Sequence, residues 1–179
     1  RYSTYANSSY SASGVNTWCN GDYYNSIDSA VRGLIKQVKI PYRPGSTGTT
    51  IYSGAKGMRV YVLLLSVWEI GATSSTVNIY CPHDGEMLDL FALSGAYAYK
   101  YFRRYNQEST RVYWTTRTPS TYGDSSGSAS VAVITPDGND GTYSVSQSSY
   151  MRPTFILPQD VLVADDGSIF VNSAPNPPE

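Results

Sequence analysis

Two arginine-proline elements bracket the stretch that most constrains this chain. Residues 112–158 open with Tyr113-Trp114-Thr115-Thr116-Arg117-Thr118-Pro119 and close with Met151-Arg152-Pro153-Thr154-Phe155-Ile156-Leu157-Pro158. Each end sets an arginine and a proline among β-branched or aromatic residues, which suits strands held in a defined place. Between them Ser, Thr, Gly, Asp and Tyr dominate, interrupted by the apolar run Val131-Ala132-Val133-Ile134. Short polar side chains and tyrosines make adaptable contacts at small entropic cost. The pattern predicts a scaffold at both ends and a displayed polar and aromatic surface over about 115–150.

At 179 residues the chain is long enough to bury a real core. A formal charge of -1 leaves no basic footprint for nucleic acid, and the 17 tyrosines do not fit a disordered acidic tail. The longest apolar run, 60–68, is about half of what a membrane span needs, so no membrane insertion is expected. The chain begins at Arg1 without a signal-like stretch, which reads as a processed start or an excerpt of something longer. Cys19 and Cys81 either pair or stay as small separate residues. No Cys/His cluster is present, and no cofactor or metal is expected.

Taken in order, residues 1–17 read as irregular or edge structure. Ile27, Val31, Leu34, Ile35 and Val38 recur at helical spacing, with Asp22 placed to cap. Residues 22–39 are therefore predicted to form the longest helix, packed on a sheet containing 61–65. Pro41 ends it, and 43–57 reads as an exposed loop. Residues 59–70 read as a strand covered on both faces, the centre of the sheet. A turn at 71–77, an extended piece at 78–82 and a helical turn or two within 85–93 follow. Residues 111–116 begin a second half of the sheet, and 129–134 with 142–145 form a hairpin across the turn-rich 136–141. Short strands at 155–157, 161–163 and 169–171 complete an α+β domain over 1–171, with a turn at 165–167 and a Pro-rich tail at 172–179.

Several apparent motifs carry ordinary readings. Gly123-Asp124-Ser125-Ser126-Gly127 is one residue out of step with a serine-protease nucleophile loop, and His83 is the only histidine available as a base, so no catalytic residues are assigned. His83 itself lies in the turn-like Pro82-His83-Asp84-Gly85. The pairs Asp137/Asp140 and Asp165/Asp166 lack calcium-loop spacing and read as turn formers. Glu69 inside an apolar stretch needs a partner, and Arg117 or Arg152 can supply it. Glu69, Trp114, Arg117, Arg152 and Pro153 are thus structural candidates, with one or both arginines largely buried. The ligand-binding candidates are Tyr122, Asp124, Thr135, Asp137, Asn139 and Tyr143, while Val131 and Val133 should face the core.

An ordered set of elements also carries a family resemblance: Tyr24-Asn25-Ser26-Ile27-Asp28, Ile35-Lys36-Gln37-Val38-Lys39-Ile40-Pro41-Tyr42, Leu64-Leu65-Ser66-Val67-Trp68-Glu69-Ile70-Gly71, Pro82-His83-Asp84-Gly85, and the two bracket motifs. This succession resembles an uncharacterised family of gut bacteria and their phages. The bracketed polar insert is similar to the C-type-lectin-like domains used as variable proteins of diversity-generating retroelements and as phage tail-tip receptor binders. Thr115 stands where such sequences usually carry a second Trp, and Val67-Trp68 where they carry Gly-Tyr. The resemblance implies a C-type-lectin-like fold, one main helix with a mixed, mostly antiparallel sheet of short strands and long loops. It implies a non-enzymatic recognition domain on a virion or cell surface, binding a host-cell surface receptor, protein or glycan. The Glu-Pro-Asn and Trp-Asn-Asp strings of calcium-dependent sugar binding do not occur here. A structural module of a tail or fibre, packed against other subunits or copies of itself, is the alternative. A formylglycine-generating-like enzyme is a lesser one, because Cys19 and Cys81 fall outside the stretches that would form its groove.

Overall fold

A computed structural model describes residues 9–44, 50–72, 74–91, 103–107, 110–121, 130–164 and 168–171. The chain is α+β, and its centre is a four-stranded sheet ordered Asp140–Ser144, Ser130–Ile134, Trp114–Ser120, Tyr150–Met151. The first three strands are antiparallel, and Tyr150–Met151 runs parallel to Trp114–Ser120. The predicted hairpin is present, turning through Gly138 at φ 80.

Side-chain alternation along this sheet divides the interior into two cores. Val131 and Val133 point into one, with Tyr10, Val15, Cys19 and Val60 to Leu64. Trp114, Ala132 and Ile134 point into the other, with Val67, Ile70, Val77, Cys81 and Phe91. Val131 and Val133 therefore face a core as expected. Both middle strands are buried along their whole length, so 114–120 and 130–134 belong to the interior, and the displayed part of the insert begins at 135 among the described residues.

The predicted helix over 22–39 is replaced by a different arrangement. Ser13 accepts from the Asn16 N–H at 3.0 Å, and the chain is helical through Gly14–Trp18, a π turn at Cys19–Tyr23, and Tyr24–Ser26. Ile27 is extended, and the Asp28 carboxylate then caps a second short helix, Ser29–Leu34, through the Ala30 N–H at 2.9 Å. Asp22 lies exposed in the π turn and caps nothing. Ile35 leaves the helix and Val38 belongs to the strand Val38–Ile40, paired with Met58–Val60. Of the apolar stripe only Val31 and Leu34 are helical. Ile27 and Val38 pack on the first core beside Tyr61 and Leu65, whereas Val31 and Leu34 line a shallow groove with Ile169.

Most of 60–70 is buried as expected, with Tyr61, Leu65 and Trp68 half-buried and Arg59 exposed, yet only Met58–Val60 and Val62–Leu63 are strands, and the four-stranded sheet, not this run, is the centre. Past Leu64 the chain passes from the first core into the second, with Leu65 packed against both. The expected turn and extended piece at 71–82 instead contain a helix, Ser75–Tyr80, capped by Ser74 through the Val77 N–H. Among the described residues of the 85–93 stretch the helical element is a 3-10 turn, Asp89–Phe91. Strands at Val161–Val163 and Ile169–Val171 match expectation, while the one expected at 155–157 is Thr154–Phe155, with Ile156 and Leu157 outside it. The predicted turn at 165–167 and the tail 172–179 lie outside the described residues.

Candidate functional site

The bracket motif builds its own irregularity. Pro119 has no N–H for the ladder, and the register between Trp114–Ser120 and Ser130–Ile134 shifts between Thr115 and Pro119. Inside that shift the Thr116 hydroxyl donates to the Ala132 carbonyl at 2.8 Å, and the Arg117 N–H donates to the Leu65 carbonyl at 3.1 Å. The bulge turns Arg117 away from the sheet and toward the 64–69 segment.

There Arg117 is fully buried and uses a guanidinium's five donors in five bonds. Two go to the Glu69 carboxylate at 2.5 Å each, and the others reach the carbonyls of Leu64, Asp84 and Pro41 at 3.0, 2.8 and 3.3 Å. Glu69 also accepts from the Ser66 N–H at 2.9 Å, while the Ser66 hydroxyl accepts from Trp68 and Glu69 N–H groups. The partner of Glu69 is thus Arg117 and not Arg152. One cation ties four separated pieces of chain, around 41, 64–69, 84 and 117.

Asp84 is the member of this cluster that motif reading took for a turn residue. It is fully buried, and its Oδ1 accepts from the Thr118 hydroxyl at 2.9 Å, which in turn accepts from the Val67 N–H. Arg117 is already neutralised by Glu69, so a charged Asp84 would leave the buried group net negative. Burial pushes its pKa up to about 6, against the opposing pull of Arg117 and Thr118. Burial alone would lower the Arg117 pKa, but the hydrogen bond to Glu69 and the charges of Asp84 and Glu69 raise it. Gly85 follows because nothing larger fits: a Cβ there would stand 2.7 Å from Glu69 Cγ and 2.8 Å from Ser66 Oγ.

A second buried arginine was not found by sequence reading. Arg103 donates Nε to the Ile70 carbonyl at 2.8 Å and Nη2 to that of Gly71, and its own carbonyl accepts from Trp114 Nε1 at 2.7 Å. Only the general rule that a buried turn's carbonyls need donors could have pointed to it.

The outward face lies on the far side of Trp114. Arg152 is partly buried, with its guanidinium 4.9 Å from the Trp114 ring centre and 5.8 Å from that of Tyr105. Burial lowers its pKa, with Tyr105 acting in the opposite sense. Tyr113 and Tyr143 stack at 4.8 Å, and Tyr105 meets Tyr150 edge-on at 6.3 Å. Two connected grooves run along this face. One, of about 570 Å³, is lined by Trp18, Tyr23, Tyr105, Tyr150, Pro153 and neighbours; the other, of about 150 Å³, by Val15, Tyr143, Val145 and Gln147 among others. Ser148, Ser149 and Met151 line both.

The remaining candidates fall in different places. Tyr143 is on the groove. Thr135, Asp137 and Asn139 form the hairpin turn: the Thr135 hydroxyl accepts from the Asn139 N–H at 3.2 Å, and Asp137 makes an exposed ion pair with Arg111 at 3.7 Å. Neither groove is lined by these three. Tyr122, Asp124 and the 123–127 loop lie outside the described residues. Trp18, Tyr23, Tyr105 and Tyr150 were not chosen from the sequence, where tyrosines are too frequent to be told apart.

Cys19 and Cys81 are both free, each in a different core, and burial pushes both thiols up to about 12. His83 lies exposed against the Trp68 ring at 4.1 Å, and Trp68 Nε1 donates to the Pro82 carbonyl at 2.8 Å. Among the described residues no group of three or more His, Cys, Asp or Glu could hold a metal, and no helix is long and apolar enough to cross a membrane.

A family defined as a domain of unknown function, DUF6273, matches residues 1–159. The chain belongs to that family. No curated protein and no solved structure matches it.

Proposed function

We propose that this chain is a non-enzymatic ligand-recognition domain of C-type-lectin-like type, carried on a phage tail tip or a cell surface and binding a host-cell surface protein or glycan. The observation that carries this reading is the aromatic groove between Tyr150 and Tyr143, set on strands whose other side is tied down by Arg117. Concave, mainly apolar sites with a few polar groups are where ligands bind, and tyrosine and tryptophan supply most contact energy for their number. Two thiols held protonated in separate cores offer no nucleophile, which weighs against the formylglycine-generating alternative.

The test is direct labelling of intact cells. The fluorescent domain, applied to a panel of gut bacterial strains and read by flow cytometry, is expected to saturate on some strains and leave others unstained. Absence of saturable staining on every strain overturns the reading. A second reading, a structural module of a tail or fibre, draws on the exposed apolar side chains Ile79, Met87 and Leu90, which a neighbouring subunit would cover. It predicts self-association by light scattering together with no staining of cells.

A further inference from the structure

Resting on the recognition reading, we infer that the ligand of the Tyr150 groove is a neutral oligosaccharide. Among the described residues, none of those that line the two connected grooves carries a charge, in a chain with 27 charged residues, 13 basic and 14 acidic. The nearby cation, Arg152, has its guanidinium against the Trp114 and Tyr105 rings. An acidic or basic ligand would lose its hydration here without gaining an opposite charge. A neutral ligand meets no such penalty.

Ring chemistry narrows the class further. Trp18, Tyr23, Tyr105 and Tyr150 give the larger groove aromatic walls. An aromatic ring has an electron-rich face, and the C–H groups on one side of a pyranose present the complementary weakly positive surface. Ser148, Ser149 and Gln147 then offer hydroxyl and amide groups of both donor and acceptor character, as an uncharged polyol requires. The two volumes, about 570 and 150 Å³, form an open trough with room for about two or three sugar rings. An extended peptide has less to hold it. The strand beside the trough, Tyr150–Met151, is two residues long, and the Tyr150 N–H already donates to the Tyr113 carbonyl at 3.0 Å. Adding a peptide strand needs a longer free edge.

The test titrates the purified chain with neutral hexasaccharides of glucose, mannose, galactose and N-acetylglucosamine, and with a hexagalacturonate as the charged control, by calorimetry. At least one neutral sugar is expected to bind saturably and the control not to bind. Ser148→Trp, which fills the trough from an exposed position, should abolish that binding. Tyr150→Ala should weaken it about tenfold or more, and Tyr150→Phe, keeping the ring, by much less. Tighter binding of the galacturonate overturns the neutral assignment, and binding unaffected by Ser148→Trp overturns the site. If no sugar binds while cells are still stained, the saccharide inference falls and recognition stands. If neither occurs, both fall.

Discussion

The surroundings of Arg117 and of Tyr150 lie on neighbouring strands of one sheet and follow opposite rules. At Arg117 a cation with no exposure has each of its donors placed, and the acceptors come from three distant segments. At Tyr150 the side chain is 46% exposed, the neighbouring contacts are between rings, and an open groove runs beside it. Hydrogen-bonded burial makes the first region intolerant of change, because a missing partner leaves a desolvated charge. Partial exposure frees the second to vary. A display surface needs both, a frame that does not move and a face whose side chains contribute little to folding.

Three substitutions test the rigid half. Arg117→Ala strands the Glu69 carboxylate and three carbonyls, and a loss of about 3–5 kcal/mol is expected in urea unfolding, a large share of a typical domain's stability. A loss under about 1 kcal/mol would mean that this cluster does not hold the fold together.

Asp84 comes next, through pH. Its pKa is raised in the folded chain, from 3.8 to about 6, so the fold favours the protonated acid. The stability this contributes is present in full below the unfolded value and lost as pH rises through about 6. At about 1.4 kcal/mol per unit, this acid should make the protein up to about 3 kcal/mol less stable at pH 7 than at pH 3.5. Asp84→Asn keeps an acceptor for Thr118 and should flatten that slope in unfolding curves recorded across the range. An unchanged slope would place the titration elsewhere.

Gly85→Ala should cost about 1–3 kcal/mol by pressing a methyl on Glu69 and Ser66, measured by thermal melting. A neutral result would show that the 66–69 turn yields. The smallest effect on stability is expected on the other half, where Tyr150→Ala should stay within about 0.5 kcal/mol while ligand binding drops.

The same contrast explains what could be read from the residues. A carboxylate in an apolar run must be paired, so Glu69 and an arginine partner were legible. Which arginine was not, since Arg117 and Arg152 occupy similar arginine-proline motifs and only the bulge at Thr116–Thr118 separates them. Burial of most of 60–70 was legible and its conformation was not, because the Leu64 and Leu65 carbonyls are taken by the Arg117 guanidinium and N–H instead of by a regular strand ladder. The helix was misplaced because a strand residue, Val38, continues the helical spacing of Ile27, Val31 and Leu34. The groove could not be found in one dimension at all. Trp18 and Tyr23 reach it from a helical segment more than a hundred residues before Tyr150.

Whether the face is separate from the frame is decided by Ser148→Trp on intact cells. The variant, labelled and applied to a strain that the unaltered domain stains, is read by flow cytometry, with its melting curve recorded in the same buffer. Staining lower by about tenfold or more, with the melting temperature within about 2 °C, is the predicted result. Undiminished staining by the folded variant would contradict the account.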